Sequence, residues 1–244
     1  MPETPEPRFL PCGDAGLSVE FGESANREVS GRVLALDAAL RAAAPPGLVE
    51  TVPTFRALMV HLDPDATDAL AMEAAIRPLL AGLAAAPSRR RRWTVPVRYD
   101  AEVAPDMEAV QRLAGLTREE VVALHAGADL HVYMIGFLPG HPYMGDLPEP
   151  LRPPRLAEPR TRVPRGAVAV ATGFTAVYPV ESPGGWRLIG ATPFPLFDLA
   201  RDPIALLQPA DLVRFEPVTA GEAAALASDA AAGRWPLGPE AVEP

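Results

Sequence analysis

The sequence predicts an α+β protein with a small N-terminal α+β domain over residues 1–88, followed by a β-rich domain over residues 89–244. Three observations carry this reading. Apolar residues recur at helical spacing in the first half of the chain. From Leu130 onward that period gives way to short apolar runs parted by Pro and Gly, the pattern of a β-barrel or sandwich. Between them, Pro87, Ser88 and the run Arg89 to Arg92 break the composition and mark the boundary.

In chain order, Leu17 to Phe21 reads as a short strand. Val29, Val33, Leu36 and Leu40 then place a helix within residues 24–44, ended by Pro45, Pro46 and Gly47. Two β-like runs follow, Leu48 to Val52 and Ala57 to Leu62. Asp65 opens a second helix reaching about Ala86, with Pro78 as a kink. The four-arginine run reads as a solvated linker cluster or, alternatively, an anion or partner site. Trp93 to Tyr99 is the first strand of the second domain, held near an edge by Pro96. Helices follow from about Pro105 to Ala114 and from Thr117 to His125, the latter with Thr117 and Glu120 spaced as a capping box. His125 reads as a helix-end residue facing the dipole. Strands are then expected at 131–135, 167–171, 176–180, 186–189 and 212–215.

Composition narrows the function. The formal charge of −9 argues against a nucleic-acid partner, which needs surplus positive charge. All 22 basic residues are arginine, so a P-loop lysine, a Schiff base and a carried biotin are excluded. The 30 prolines exceed twice the roughly 5% of average usage and lie within apolar segments, which implies many turns and short strands. Cys12 is the only cysteine, the start lacks the apolar run of a signal peptide, and a cytoplasmic location is expected. The four histidines show no zinc-pair spacing, and no metal site is expected.

Three segments between Gly136 and Phe197 can carry chemistry. Gly136 to Gly145 (GFLPGHPYMG) reads either as a structural turn or as a loop presenting Pro139, Gly140, His141 and Tyr143. Pro159 to Arg165 (PRTRVPR), with Arg155 just before it, puts Arg160 and Arg162 on one face of an extended segment, which reads either as solvated surface charge or as a geometry suited to a carboxylate or phosphate. Tyr178 to Trp186 (YPVESPGGW) combines Ser182, Gly184 and Gly185 with a flat indole wall, and Thr192 follows in GATPF. Ser182 lacks a Gly-x-Ser-x-Gly elbow, so it is not expected to be a hydrolase nucleophile.

In this order and spacing, GFLPGHPYMGDL, PRTRVPRGAVAVA, YPVESPGGWRLIGATPFPLFD and the terminal LVRF resemble the family of the 5-oxoprolinase B-type subunit, also called KipI or allophanate hydrolase subunit 1. The likeness extends upstream through PCGDAGLSVEFG, ETVPTFRALMVHLDP and VPVRYD. It implies that the second domain is a cyclophilin-like β-barrel. It also implies an ATP-dependent complex, with Mg2+, that opens the lactam of 5-oxoproline to glutamate. The partners it implies are a barrel-fold protein (the C-type, or KipA-like, 5-oxoprolinase subunit) and a third protein of the A type. The same family likeness admits a KipI-like inhibitor of a histidine kinase, or a carboxyltransferase-type subunit for a urea-like substrate; a prolyl isomerase is a weaker alternative. On the enzymatic reading His141, Arg160 and Arg162 are the catalytic candidates. Pro139, Gly140, Tyr143, Tyr178, Ser182, Gly184, Gly185, Trp186 and Thr192 are the substrate- or nucleotide-binding ones. Phe174 stands where the family pattern has glutamine, Ala191 where it has arginine and His141 where it has phenylalanine, which points to an altered ligand.

Overall fold

A computed structural model describes residues 6–83, 90–234 and 238–242. The chain divides into two compact units between Arg89 and Arg90.

The first unit contains β1 (Arg8–Pro11), β2 (Gly16–Glu20), α1 (Arg27–Ala43), β3 (Leu48–Pro53), β4 (Ala57–Leu62) and α2 (Ala69–Leu80). The strands form one antiparallel sheet in the order β1-β2-β4-β3. In β4, Leu58, Val60 and Leu62 are buried while their neighbours are half-exposed, so one face of the sheet meets the helices. Val33, Leu36 and Leu40 of α1 and Met72 and Ile76 of α2 complete this core. Asn26 starts α1 by accepting the Val29 amide at 2.9 Å, and Asp68 starts α2 by accepting that of Ala71 at 2.8 Å. The second helix therefore begins at Ala69, later than the expected Asp65, and it carries Pro78 within its last turn. The expected stretch to Ala86 runs beyond the described residues. β1 lies in the proline-rich start and is recognisable only by its pairing with β2.

The second unit contains β5 (Arg90–Val97), α3 (Met107–Ala114), α4 (Arg118–Gly127), β6 (Leu130–Ile135), β7 (Pro142–Gly145), β8 (Arg160–Val163), β9 (Ala167–Ala171), β10 (Phe174–Val177), β11 (Ser182–Gly184), β12 (Arg187–Ala191), β13 (Leu212–Pro217), α5 (Ala220–Ala231) and β14 (Glu240–Val242). Eight strands form one sheet in the order β12-β9-β10-β7-β6-β13-β5-β14, and β8 pairs separately with β11. The sheet curls until Arg98, just past β5, exchanges two backbone hydrogen bonds with Ala191 of β12, at 2.8 and 2.9 Å. The ends meet through this single bridge and not a continuous ladder, so the unit is a rolled sheet compatible with a cyclophilin-like barrel, not a fully closed one. β14 pairs only with Arg90 to Arg92, which leaves Pro96 beyond its reach, where a missing amide costs no ladder bond to β14. Val95, Val132, Met144, Val168, Val170 and Val213 fill the interior, with Met107 and Val110 of α3 and Val121 of α4 packed over them. Both capping-box bonds of α4 are present, between Thr117 and Glu120.

Two expectations fail here for the same reason: charged or polar groups that look like surface residues find buried partners. Arg90 to Arg92 are not linker but strand. The Arg91 guanidinium donates to both carboxylate oxygens of buried Asp211, at 2.8 and 2.7 Å, and Arg92 pairs with Asp129 at 3.2 Å. Asp211 also accepts from the Trp93 indole at 3.0 Å and the Gln208 amide at 2.9 Å, so its charge is fully met inside the fold. His125, in turn, does not cap a dipole at the surface; it is fully buried. Its ring stacks on Phe215 with centroids 4.6 Å apart. The Thr175 hydroxyl donates to the Ala169 carbonyl at 2.9 Å, so it accepts from His125 Nε2 at 3.0 Å, and His125 Nδ1 accepts from the Tyr99 hydroxyl at 2.8 Å. Burial pushes this imidazole down to about 3, so it is neutral in the fold.

Candidate functional site

The site is built on the outward face of the rolled sheet. Directly paired residues share a face, and Tyr143 of β7 pairs with Ala176 of β10. Tyr143, Gly145, Phe174 and Ala176 therefore point one way, and Met144, Thr175 and Val177 point into the core. A smaller apolar cluster of Val163, Ala167, Ala169, Tyr178 and Leu188, joined by Trp186, lies on this outer face.

The glycine-rich loop before β7 closes on itself. The Gly136 amide donates to the His141 carbonyl and the His141 amide to the Leu138 carbonyl, both at 3.1 Å. Gly140 is required at its position: its φ is +72°, and a Cβ there would sit 2.7 Å from Phe197. The loop turns the His141 ring inward. It is only 2% exposed, whereas the sequence predicts a side chain presented to solvent. Phe137 (centroid 5.5 Å), Tyr143 (4.9 Å) and Tyr178 (5.1 Å) surround it, and Trp186 meets Tyr143 edge-on at 5.6 Å. His141 Nδ1 is buried with no hydrogen-bond partner among the described residues. Burial lowers the His141 pKa to about 4, so the ring is neutral at pH 7. The Tyr143 phenol is raised by burial, and the Arg155 guanidinium opposes the rise. Tyr178 is likewise raised, by burial first and by neighbouring Tyr143, against Arg155, the Trp186 backbone and Arg160.

The arginines divide sharply. Arg160 Nη2 donates to buried Asp106 at 2.7 Å, and the other Asp106 oxygen accepts the Leu188 amide at 2.7 Å, which ties β8 to α3 and β12. Arg160 Nη1 is buried and unpartnered among the described residues. Arg162 is 76% exposed and gives its fork to Glu181 at 3.0 and 2.8 Å. The two arginines lie on the same strand, yet each is committed to a separate carboxylate. Arg155, which the sequence offers only as a neighbour, makes no hydrogen bond or ion pair among the described residues, and its guanidinium lies 3.5–3.6 Å from where a Gly185 Cβ would stand. No spacing rule distinguishes an arginine of this kind from its paired neighbours.

The remaining candidates have local duties. Pro139 is exposed in the loop. The Ser182 hydroxyl donates to the Pro183 carbonyl at 3.3 Å. Thr192 accepts the Phe194 amide at 3.2 Å and lines a separate cavity of about 430 Å³ with Arg165, Asp198 and α5. Gly184 keeps Tyr178 in place, since a Cβ there would collide with the phenolic oxygen. Tyr178 is buried. Gly184→Ala is therefore expected to cost about 1–3 kcal/mol by overpacking and to displace the phenol. Chemical denaturation, together with the ultraviolet titration of the tyrosines, reads both effects.

Fold and site together define a two-unit α+β protein whose second unit carries an aromatic and arginine-bearing surface. The chain belongs to the carboxyltransferase domain family, subdomains C and D, which matches residues 7–207. It is 36% identical over 214 residues to the 5-oxoprolinase B-type subunit of Bacillus subtilis, covering 83% of this chain and 89% of the relative. Among solved structures it is similar to TTHA0988, at a TM-score of 0.75 and 39% identity over 84% of this chain; this chain spans only 40% of that one. It also shares its fold with the K. lactis urea amidolyase, at a TM-score of 0.83 and 20% identity, covering 99% of this chain and 17% of that one.

Proposed function

We propose that this chain is the B-type subunit of an ATP-dependent 5-oxoprolinase, which opens the lactam of 5-oxoproline to glutamate and is inactive without its partners. The observation that carries this reading is the likeness to a 5-oxoprolinase B-type subunit along most of both chains.

The side chains fit such a role when read as part of a larger site. At this surface two buried polar atoms, His141 Nδ1 and Arg160 Nη1, have no partner among the described residues, and Arg155, whose guanidinium lies over Gly185, is uncommitted among them. A buried polar group left unmet costs about 1–3 kcal/mol, so these atoms favour a ligand or a second protein that meets them. Among the described residues no cluster of three or more His, Cys, Asp or Glu side chains could hold a metal ion, so Mg2+ would enter with the nucleotide phosphates. Bound ATP would supply the phosphoryl group that activates the lactam oxygen, so that water adds to the ring carbonyl carbon, the ring C–N bond breaks to free the amine, and a second water releases phosphate, giving glutamate and ADP. This chain's own residues bind and orient. Tyr143 and Trp186 offer a flat wall to the ring. His141, neutral at pH 7, takes up or shares a proton. Arg160, held by Asp106, supplies a fixed positive field behind Tyr178.

The partners on this reading are a barrel-fold C-type (KipA-like) protein and an A-type protein. Mixing the purified chain with both, plus ATP and Mg2+, is expected to release glutamate, ADP and phosphate in equal amounts from 5-oxoproline, and omitting this chain should abolish it. No glutamate from the full mixture, with capture of a sensor histidine kinase instead, overturns the proposal in favour of a regulatory protein.

A further inference from the structure

We propose that Arg155 is the anion-recognising residue of this surface, and that it takes the carboxylate of a small five-membered-ring acid whose ring lies against Trp186 and Tyr143. This rests on the 5-oxoprolinase reading and deepens it by naming what the site grips.

Around the aromatic cluster Arg160 is committed to Asp106, Arg162 to Glu181, and Arg187 to the Pro154 carbonyl at 3.0 Å. Of these four, Arg155 alone has no acceptor among the described residues. Its side chain is exposed, yet it lies over the backbone at Gly185, which has no side chain to block it, and its charge acts on both Tyr143 and Tyr178. A guanidinium so placed presents a planar fork that matches a carboxylate bidentately. A second observation points to the same place. The buried His141 ring touches both of those tyrosines and keeps an unpartnered nitrogen. Charge then selects the ligand. One free guanidinium balances one carboxylate, whereas a nucleotide triphosphate would require several cations, and this cluster has already committed its others to Asp106 and Glu181.

Calorimetric binding to the isolated full chain tests this, with 5-oxoproline, the planar ring acid 2-furoate and the uncharged lactam 2-pyrrolidinone as probes. The wild-type chain is expected to bind both acids and not 2-pyrrolidinone. Arg155→Gln should weaken both acids by about tenfold or more, and Arg112→Gln on α3 should leave them unchanged. Arg155→Gln should also move the ultraviolet titration of the tyrosines to higher pH, because it removes the charge that holds Tyr143 and Tyr178 down; loss of affinity through misfolding would not give that shift. Equal binding of the acids to wild type and Arg155→Gln, or no binding of either acid to wild type at millimolar concentration, overturns the proposal. If 2-furoate binds through Arg155 but the assembled complex releases no glutamate, the 5-oxoprolinase reading fails and the carboxylate site stands.

Discussion

Replacing Asp106 with alanine is expected to lower the stability of the second unit by about 3 kcal/mol, the low end for breaking a buried pair because Arg160 is 29% exposed. At about 2–4 °C per kcal/mol for a unit of this size, the melting temperature should fall by about 6–12 °C. Asp106 meets two groups at once, the Arg160 guanidinium and the Leu188 amide. Its loss leaves Arg160 with neither Nη atom paired, since Nη1 has no partner among the described residues to begin with. The same contact fixes Arg160 on β8, from where its charge adds a small lowering influence on the Tyr178 phenol. Asp106→Asn keeps an acceptor of the same shape and should lose less stability than Asp106→Ala. A fall of less than about 2 °C in Asp106→Ala would show that the pair does not hold these elements together.

The second large effect is a pH dependence centred on His125. Its folded pKa is depressed to about 3, against 6.5 for the free side chain, because burial penalises the imidazolium. The unfolded chain thus binds a proton that the folded one refuses. The contribution of neutral His125 is complete above pH 6.5, falls as the pH drops through the range from 6.5 to 3, and is gone below it. His141, depressed to about 4, adds a loss of the same sign between 6.5 and 4. The total is on the order of several kcal/mol, since each pH decade per proton is worth about 1.4 kcal/mol. Urea denaturation at several values from pH 7 down toward acid should therefore show stability falling steeply. His125→Gln removes the titrating ring, leaves an amide able to hydrogen-bond Tyr99 or Thr175, and should flatten that slope by about one proton. An unchanged slope in this variant would remove His125 as its source.

Local signals in the sequence are reliable where they concern the backbone. Thr117 and Glu120 spell a capping box that forms. The run Ala167 to Ala171 is a strand at those residues, buried along its whole length. Pro45, Pro46 and Gly47 follow the end of α1. Signals fail where side chains decide. Arg90 to Arg92 look like a linker and are a strand because Asp211, 120 residues from Arg91, takes its charge. α5 lacks an apolar stripe, since only Ala223 of it is buried, and its signals are local: Thr219 and Glu222 spell a second capping box ahead of an alanine-rich run. The residue pattern places His141 in the cluster but suggests an exposed ring; three aromatic rings supplied by β7, by the loop and by Tyr178 enclose it.

The sequence by itself determined the α+β class, the family, the Gly136 to Phe197 segment as the part of interest, and the absence of lysine chemistry, because each rests on residue type and order. Tertiary structure decided which of three arginines has no acceptor among the described residues. Arg155, Arg160 and Arg162 share one short segment and one charge, and nothing in their spacing ranks them. Their roles are set by Asp106 and Glu181, carboxylates brought from distant positions, which consume two guanidinium groups and leave the third over Gly185, its charge acting on Tyr143 and Tyr178. An ion pair is a property of two positions in space, and only folding brings Arg160 and Asp106 to 2.7 Å.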